Sequence, residues 1–358
     1  MNESISLWSV TLRKFIKNRL GLLCLIYIIT CALISIFCYF LTPDNSNNAN
    51  KMHLEIHSKP PGFNCLMLTV PSHQKTKTNF FETLFQGKAK TDPEIPIRSY
   101  AIENNHLKIS KYPEGMSKLY PLEIFKNEPG KFIKNKTFWL GTDKYGRDLL
   151  SRLLIGTRIS FSIGFVAVFI SLIIGIPIGA IAGYFGGKID TLIMLIINIT
   201  WSIPTLLLVI AITLVLGKGF WQVFIAVGLT MWVEIARIVR GQVISCKEEQ
   251  YIEAAKALGY SDFRIIFKHI IPNIFAPIIV ISAANFASAI LIESGLSFLG
   301  IGAQPPIPSW GSMIKNHYNY IILGKPFLAI VPGIAIMCLV MSFMLLGNVL
   351  RDVLDVKS

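Results

Sequence analysis

Leu20-Gly21-Leu22-Leu23-Cys24-Leu25-Ile26-Tyr27-Ile28-Ile29-Thr30-Cys31-Ala32-Leu33-Ile34-Ser35-Ile36-Phe37-Cys38-Tyr39-Phe40-Leu41 runs without one charged side chain. A helix rises about 1.5 Å per residue and the hydrocarbon layer of a membrane is about 30 Å thick, so roughly 20 apolar residues in a row suffice to cross it. This run meets that length. It follows the basic residues Arg13, Lys14, Lys17 and Arg19, as a secretory signal would. It is nevertheless too long for a signal core, and Phe37-Cys38-Tyr39-Phe40-Leu41 offers no small-residue cleavage site. The expectation is a retained transmembrane helix.

Further apolar stretches follow at about 159–184, 192–216, 220–238, 274–296 and 327–349. With the first, they predict an all-α integral membrane protein of six transmembrane helices. A chain that is 53% hydrophobic and only 15% charged departs from water-soluble composition in the same direction. Pro177 and Pro204 are expected to kink their helices without ending them, because neighbouring helices can satisfy the freed backbone groups.

The net charge of +13 is accompanied by no recognisable nucleic-acid motif, so no nucleic-acid partner is expected, and membrane orientation accounts for part of the excess. Basic short flanks stay inside, which places residues 1–19 as a cytoplasmic tail before the span 20–41. An even number of crossings returns the tail 350–358 to the same side. The segment carrying Arg240, Lys247, Lys256, Arg264 and Lys268 then also lies inside. Residues 42–156 form an extracytoplasmic insert ending in an interfacial helix, and residues 157–349 form the membrane core.

Within the insert, Leu66 to Val70 and His106 to Ile109 read as short strands, punctuated by Pro60-Pro61-Gly62, Pro93, Pro96, Pro113 and Pro121. Cys24, Cys31, Cys38 and Cys338 fall in apolar spans and Cys246 falls inside, which leaves Cys65 alone in an oxidising compartment with no disulfide partner in this chain. His53, His57, His73 and His106 are scattered without metal-ligand spacing.

Between the fourth and fifth spans lies Tyr251-Ile252-Glu253-Ala254-Ala255-Lys256-Ala257-Leu258-Gly259-Tyr260-Ser261-Asp262, continuing to Pro272. The alanines favour helix, Gly259 suits a left-handed cap, Ser261 suits the next N-cap and Pro272 marks the end of the second helix. The result is a compact cytoplasmic knob, which a solvated connector between two membrane helices would match equally well.

The Glu-Ala-Ala…Gly…Pro pattern resembles the coupling segment of ABC importer permeases, here residues 245–273. The resemblance implies the six-helix fold of type I ABC importer permeases and assigns coupling to the ATPase subunit to Glu253, Ala254, Ala255, Gly259 and Pro272. A second match, through Leu140-Gly141-Thr142-Asp143-Lys144-Tyr145-Gly146-Arg147-Asp148 and on to Arg152, is similar to the second permease subunit of dipeptide, oligopeptide and nickel importers. Gly295 to Gly302, Pro305 to Gly311 and Leu350 to Asp355 match the same group. The resemblance covers about 138–355 plus the first helix.

It implies the following partners: a homologous second permease subunit, two ATP-binding subunits, an extracytoplasmic substrate-binding protein and membrane lipid. Cofactors would be none in this chain, with ATP and Mg in the partner subunits. No Gly-x-x-x-x-Gly-Lys-Ser/Thr loop occurs in the sequence, in keeping with a transporter subunit that has no ATP site of its own. Short peptides are the expected cargo, with nickel-chelate, glutathione or antimicrobial-peptide transport as alternatives. From other classes come an ion-gradient-driven carrier and a membrane-anchored enzyme whose active part is 42–156.

The motif residues Gly141, Thr142, Asp143, Gly146, Arg147, Asp148 and Arg152 are read as structural or interfacial, with Asp148 and Arg152 paired on an exposed helical face. Gly175, Gly179 and Gly183 recur every four residues and make a smooth packing stripe, with a role along the translocation path as the alternative. Glu293 within an apolar span needs a partner or water, and a buried hydrogen bond is favoured over cargo contact. Glu234, Arg237 and Arg240 are read as an ion-pair cluster, and His269 as a surface contact.

Overall fold

The computed structural model describes residues 7–71, 79–88, 92–113, 117–126, 128–217 and 219–354, with side chains from Leu12 onward. His73 and Asp355 lie outside the described residues. The helices in chain order are α1 (Leu7–Lys17), α2 (Arg19–Leu41), α3 (Phe80–Gln86), α4 (Leu149–Phe185), α5 (Gly187–Ser202) and α6 (Thr205–Leu216). They continue with α7 (Phe220–Lys247), α8 (Gln250–Ala257), α9 (Asp262–Ile265), α10 (Phe275–Leu299), α11 (Trp310–His317) and α12 (Phe327–Leu354). Five of these, α2, α4, α7, α10 and α12, are long and apolar enough to cross a membrane. The pair α5 and α6 supplies a sixth candidate, bent by 91° at its break.

That break corrects the expectation for Pro204. Helix α5 stops at Ser202, Ile203 is extended (φ −87°, ψ 127°) and Pro204 occupies the N-cap position of α6. The proline ring crowds the preceding residue out of the helical region, and its missing N–H cannot continue the ladder. Pro177, by contrast, lies inside α4, which continues to Phe185. Helix α4 also corrects the interfacial helix: residues 149–158 are its first turns rather than a separate element. At 1.5 Å per residue its 37 residues extend about 56 Å, well beyond the hydrocarbon layer, and no glycine pair or proline interrupts it before Pro177.

The chain divides into two compact units, one of residues 1–32, 160–304 and 335–358, the other of 33–159 and 305–334. In the first, the glycine stripe of α4 lies against the backbone of α7. A Cβ on Gly179 would sit 2.3 Å from the Ala236 carbonyl oxygen, and one on Gly183 would sit 2.7 Å from that of Arg240. Only glycine permits this approach, so the stripe is a packing surface. Farther along, Gly164 makes room for Phe286, whose ring stacks on Phe343 at 4.0 Å.

The second unit corrects the all-α expectation: the strands read at Leu66 to Val70 and His106 to Ile109 belong to an antiparallel sheet in the order β4-β3-β2-β1-β5. Its strands are β1 (Phe63–Thr69), β2 (Glu94–Glu103), β3 (His106–Lys111), β4 (Ser117–Pro121) and β5 (Ile133–Phe138). Strand β1 is buried on both faces. Leu66 and Leu68 join Ile97, Leu107, Ile109, Leu122 and Phe125, while Cys65 and Met67 join Ile56 and Phe138. A strand covered on both sides reads as a continuous apolar run, which is why its sequence stood out. The β2–β3 turn is made by Asn104 and Asn105, both at positive φ, as a tight two-residue hairpin requires.

Candidate functional site

The bent segment after α7 is built from local signals. Glu249 is extended ahead of α8 (φ −77°, ψ 140°). Ala254, Ala255, Lys256 and Ala257 carry the helix forward with little side-chain entropy loss. Gly259 at φ 74° ends it, with Gly259 N–H donating to the Lys256 carbonyl (2.9 Å) and Tyr260 N–H to that of Ala255 (3.1 Å). This pair of bonds is the Schellman arrangement, which satisfies carbonyls that a helix end otherwise leaves bare. Ser261, extended, occupies the N-cap position of α9. A wide turn over residues 266–270 follows, closed by Ile271 N–H on the Ile266 carbonyl at 2.9 Å.

One face of this segment is sealed against membrane helices. Ile252, Ala255, Ile265, Ile266, Ile270 and Ile274 are buried with Ala180 and Tyr184 of α4 and Ile235, Val239 and Val243 of α7. Polar ties reinforce the contact. The Tyr184 hydroxyl meets Asp262 Oδ1 at 2.6 Å, and Lys247 Nζ donates to the Tyr184 carbonyl at 2.7 Å.

The other face is bare. Glu253, Ala254, Gly259 and Pro272 are exposed, whereas Ala255 points into the core. Leu258 and Phe263 are 72% and 71% exposed, and the Phe263 ring packs tilted against Phe267 at 4.4 Å. These three apolar side chains were not singled out from the sequence. Their signal was legible as an i, i+4 aromatic pair on a helix too short to bury both of its faces. His269 stacks on Tyr260 at 5.7 Å.

The motif from Gly141 to Arg152 is a buried knot within the second unit. Thr142 Oγ1 donates to the Ile56 carbonyl (2.5 Å) and accepts from Lys59 N–H (2.9 Å). Asp143 is fully buried and accepts from Tyr145 N–H, Arg147 N–H and Arg147 Nε at 2.8, 3.0 and 2.7 Å. Gly141 and Gly146 adopt φ of 81° and 71°, and a Cβ on either would run into the backbone of Lys59 or His53.

The expected Asp148–Arg152 pair does not form. Asp148 accepts from Ser151 N–H at 2.9 Å and from its hydroxyl, while Arg152 reaches the Asn48 carbonyl at 3.2 Å and Asp143 at 3.9 Å. Asp143, Asp148, Ser151 and Arg152 are buried, so side-chain supply within the knot, not i, i+4 spacing, decides the partners. Burial pushes the Asp148 carboxyl above the usual range, and it holds the His317 imidazole, which faces Lys144 N–H, below its ordinary value.

Glu293 is fully buried and accepts from the Ser297 hydroxyl at 2.6 Å, so it is built into the packing of α10. The cluster expected of Glu234, Arg237 and Arg240 does not form either. Arg240 makes a two-pronged contact with Asp190 at 2.5 Å, and Arg237 lies over the Trp201 ring at 4.1 Å. Glu234 is exposed and lines a cavity of about 310 Å³ beside the α5–α6 break. Among the described residues no group of three or more histidine, cysteine, aspartate or glutamate side chains is arranged to hold a metal ion.

Residues 175–357 match the family described as binding-protein-dependent transport system inner membrane component, and residues 6–61 match the N-terminal transmembrane domain of oligopeptide transport permease C. The chain is 45% identical over 219 residues to a dipeptide transport system permease protein of Alkalihalophilus pseudofirmus, an alignment covering 61% of this chain and 72% of the relative. Over 219 residues it is 41% identical to a glutathione transport system permease protein of Pectobacterium atrosepticum, covering 61% and 72%. Over 229 residues it is 40% identical to an oligopeptide transport system permease protein of Bacillus subtilis, covering 62% and 73%. Among solved structures, a methionine ABC transporter in inward-facing conformations aligns with a TM-score of 0.46 at 22% identity, covering 57% of this chain and 96% of that one. With its apolar helices and these matches, the chain is a multi-pass membrane protein that belongs to the family of binding-protein-dependent transport system inner membrane components.

Proposed function

We propose that this chain is the permease subunit of an ATP-driven importer that moves short peptides across a bacterial inner membrane. The observation that carries the reading is the two-faced bent segment: isoleucines seal one side to α4 and α7, while Glu253, Leu258, Gly259 and Phe263 stand bare on the other. A face of that composition needs a socket, and a cleft in an ATP-binding subunit is the socket assigned. The energy source, ATP with Mg, belongs to two such subunits. This chain, which lacks a phosphate-binding loop, has no nucleotide chemistry of its own.

A homologous second permease completes the path, and an extracytoplasmic binding protein delivers cargo. Both termini lie in the cytoplasm. Closure of the ATPase pair shifts the population between inward-open and outward-open forms, because the two forms hold the segment differently. Peptide cargo is supported by relatives named for dipeptide and oligopeptide transport. Relatives named for glutathione transport fit the same reading, since glutathione is itself a tripeptide.

The test is the full importer in vesicles supplied with ATP. Glu253→Ala and Leu258→Asp are expected to cut peptide uptake and cargo-stimulated ATP hydrolysis about tenfold while the complex still inserts, in line with the loss of interface contacts. Uptake that follows a proton or sodium gradient and ignores ATP would overturn the reading.

A further inference from the structure

Glu234 is the fifteenth residue of the 28-residue helix α7 and lies within the apolar stretch 220–238, about one turn from its inner end. A carboxylate within an apolar span is costly unless it faces protein groups or water that can hold it. Among the described residues, no hydrogen bond or ion pair engages it. The nearest cation on its own helix, Arg237, is one turn away with its guanidinium over Trp201. The Glu234 side chain instead borders the cavity at the α5–α6 break, whose volume falls at the lower end of the range for small-molecule sites.

The polar lining of that cavity has a definite character. Thr200, Thr205, Thr230 and Ser288 contribute hydroxyls, and among the described residues no lysine, arginine or histidine lines it. The hydroxyls of Thr200 and Thr230 already donate to the carbonyls of Ile196 and Val227, at 2.9 and 2.8 Å, so toward a guest each offers only lone pairs. The carboxylate is likewise an acceptor alone. The Trp201 indole N–H and the Thr205 and Ser288 hydroxyls can also donate, so it is the one fixed charge of the lining, on Glu234, that selects the guest: a positive charge carrying N–H donors. An alkylammonium group, with three N–H donors and no acceptor, is that guest.

We propose that Glu234 and these hydroxyls form a station within the span for the ammonium group of the cargo, the α-amine of a peptide or a lysine side chain. The proposal rests on the peptide-permease reading. The bend at Ile203–Pro204 opens the station, because an unbroken helix would fill the space with its own side chains.

The experiment uses the full importer in ATP-loaded vesicles with its binding protein, and Glu234→Gln and Glu234→Asp variants. Three peptide pools are supplied: free amine without lysine, N-acetylated with lysine, and N-acetylated without lysine. Uptake is read by mass spectrometry. Glu234→Gln, which keeps the shape and removes the charge, is expected to lower uptake of ammonium-bearing peptides about tenfold, the scale of a lost charge-assisted hydrogen bond. Glu234→Asp, which keeps the charge, should retain most of the rate. Loss confined to the first pool assigns the α-amine, and loss confined to the second assigns lysine. Equal loss in Gln and Asp variants, equal loss across all pools, or no loss overturns the station. A parent complex that imports none of the pools defeats the peptide reading instead, and the station with it.

Discussion

Gly146 shows how little freedom the buried knot allows a single residue. Its φ is 71°, and a Cβ there would lie 1.7 Å from the His53 carbonyl oxygen, so Gly146→Ala must displace backbone. The expected cost is roughly 2–4 kcal/mol, read as a lowered melting temperature of the purified protein. An unchanged melting temperature would contradict the packing described.

Glu94 makes a different single-residue prediction. Burial pushes its carboxyl up, but Lys136 and Lys51, at 3.2 and 2.5 Å, more than offset this and hold it below the usual range. With the folded value depressed, the unfolded chain takes up the proton first on acidification. The stability is therefore present above the ordinary glutamate value of about 4.3 and lost as pH falls through the folded one. The difference in melting temperature between the parent and Glu94→Gln should be open at pH 7 and narrow progressively as pH falls below about 4.3.

At the scale of elements, two prolines in apolar spans had different fates. Pro177 is absorbed within α4, while Pro204 ends α5 and caps α6. The residue type is identical, so the outcome was not legible from proline alone. Packing along α4, where glycines admit α7 closely, holds the helical path through Pro177. The bent segment, in contrast, was legible almost residue by residue, because alanine, Gly259 and Ser261 act through their own backbone preferences. What remained hidden there was the exposed apolar set, since exposure is a property of the fold. Phe263→Ser and Phe267→Ser together are expected to weaken coupling of ATP hydrolysis to uptake several-fold with little loss of stability, because neither ring is buried. A comparable loss of melting temperature would show that the pair supports the segment itself.

For the whole molecule, hydropathy revealed the membrane spans because length and charge alone decide whether a helix can cross lipid. The sheet was less visible. Strand β1 stood out as an apolar run, but β5, Ile133-Lys134-Asn135-Lys136-Thr137-Phe138, has polar side chains at most positions and Pro96 interrupts β2. The orientation makes an independent prediction: alkaline phosphatase fused after Phe138 should be active, and a green fluorescent protein at the C-terminus should glow. The reverse pattern would invert the topology and remove the bent segment from any contact with ATPases.

The isoleucine seam beneath that segment has a mechanical meaning. Side chains at crystal-like density barely compress, so a displacement imposed at Ile252 or Ile265 is passed to Val243 almost undiminished. The piece behaves as a gear tooth cut from the same metal as its shaft.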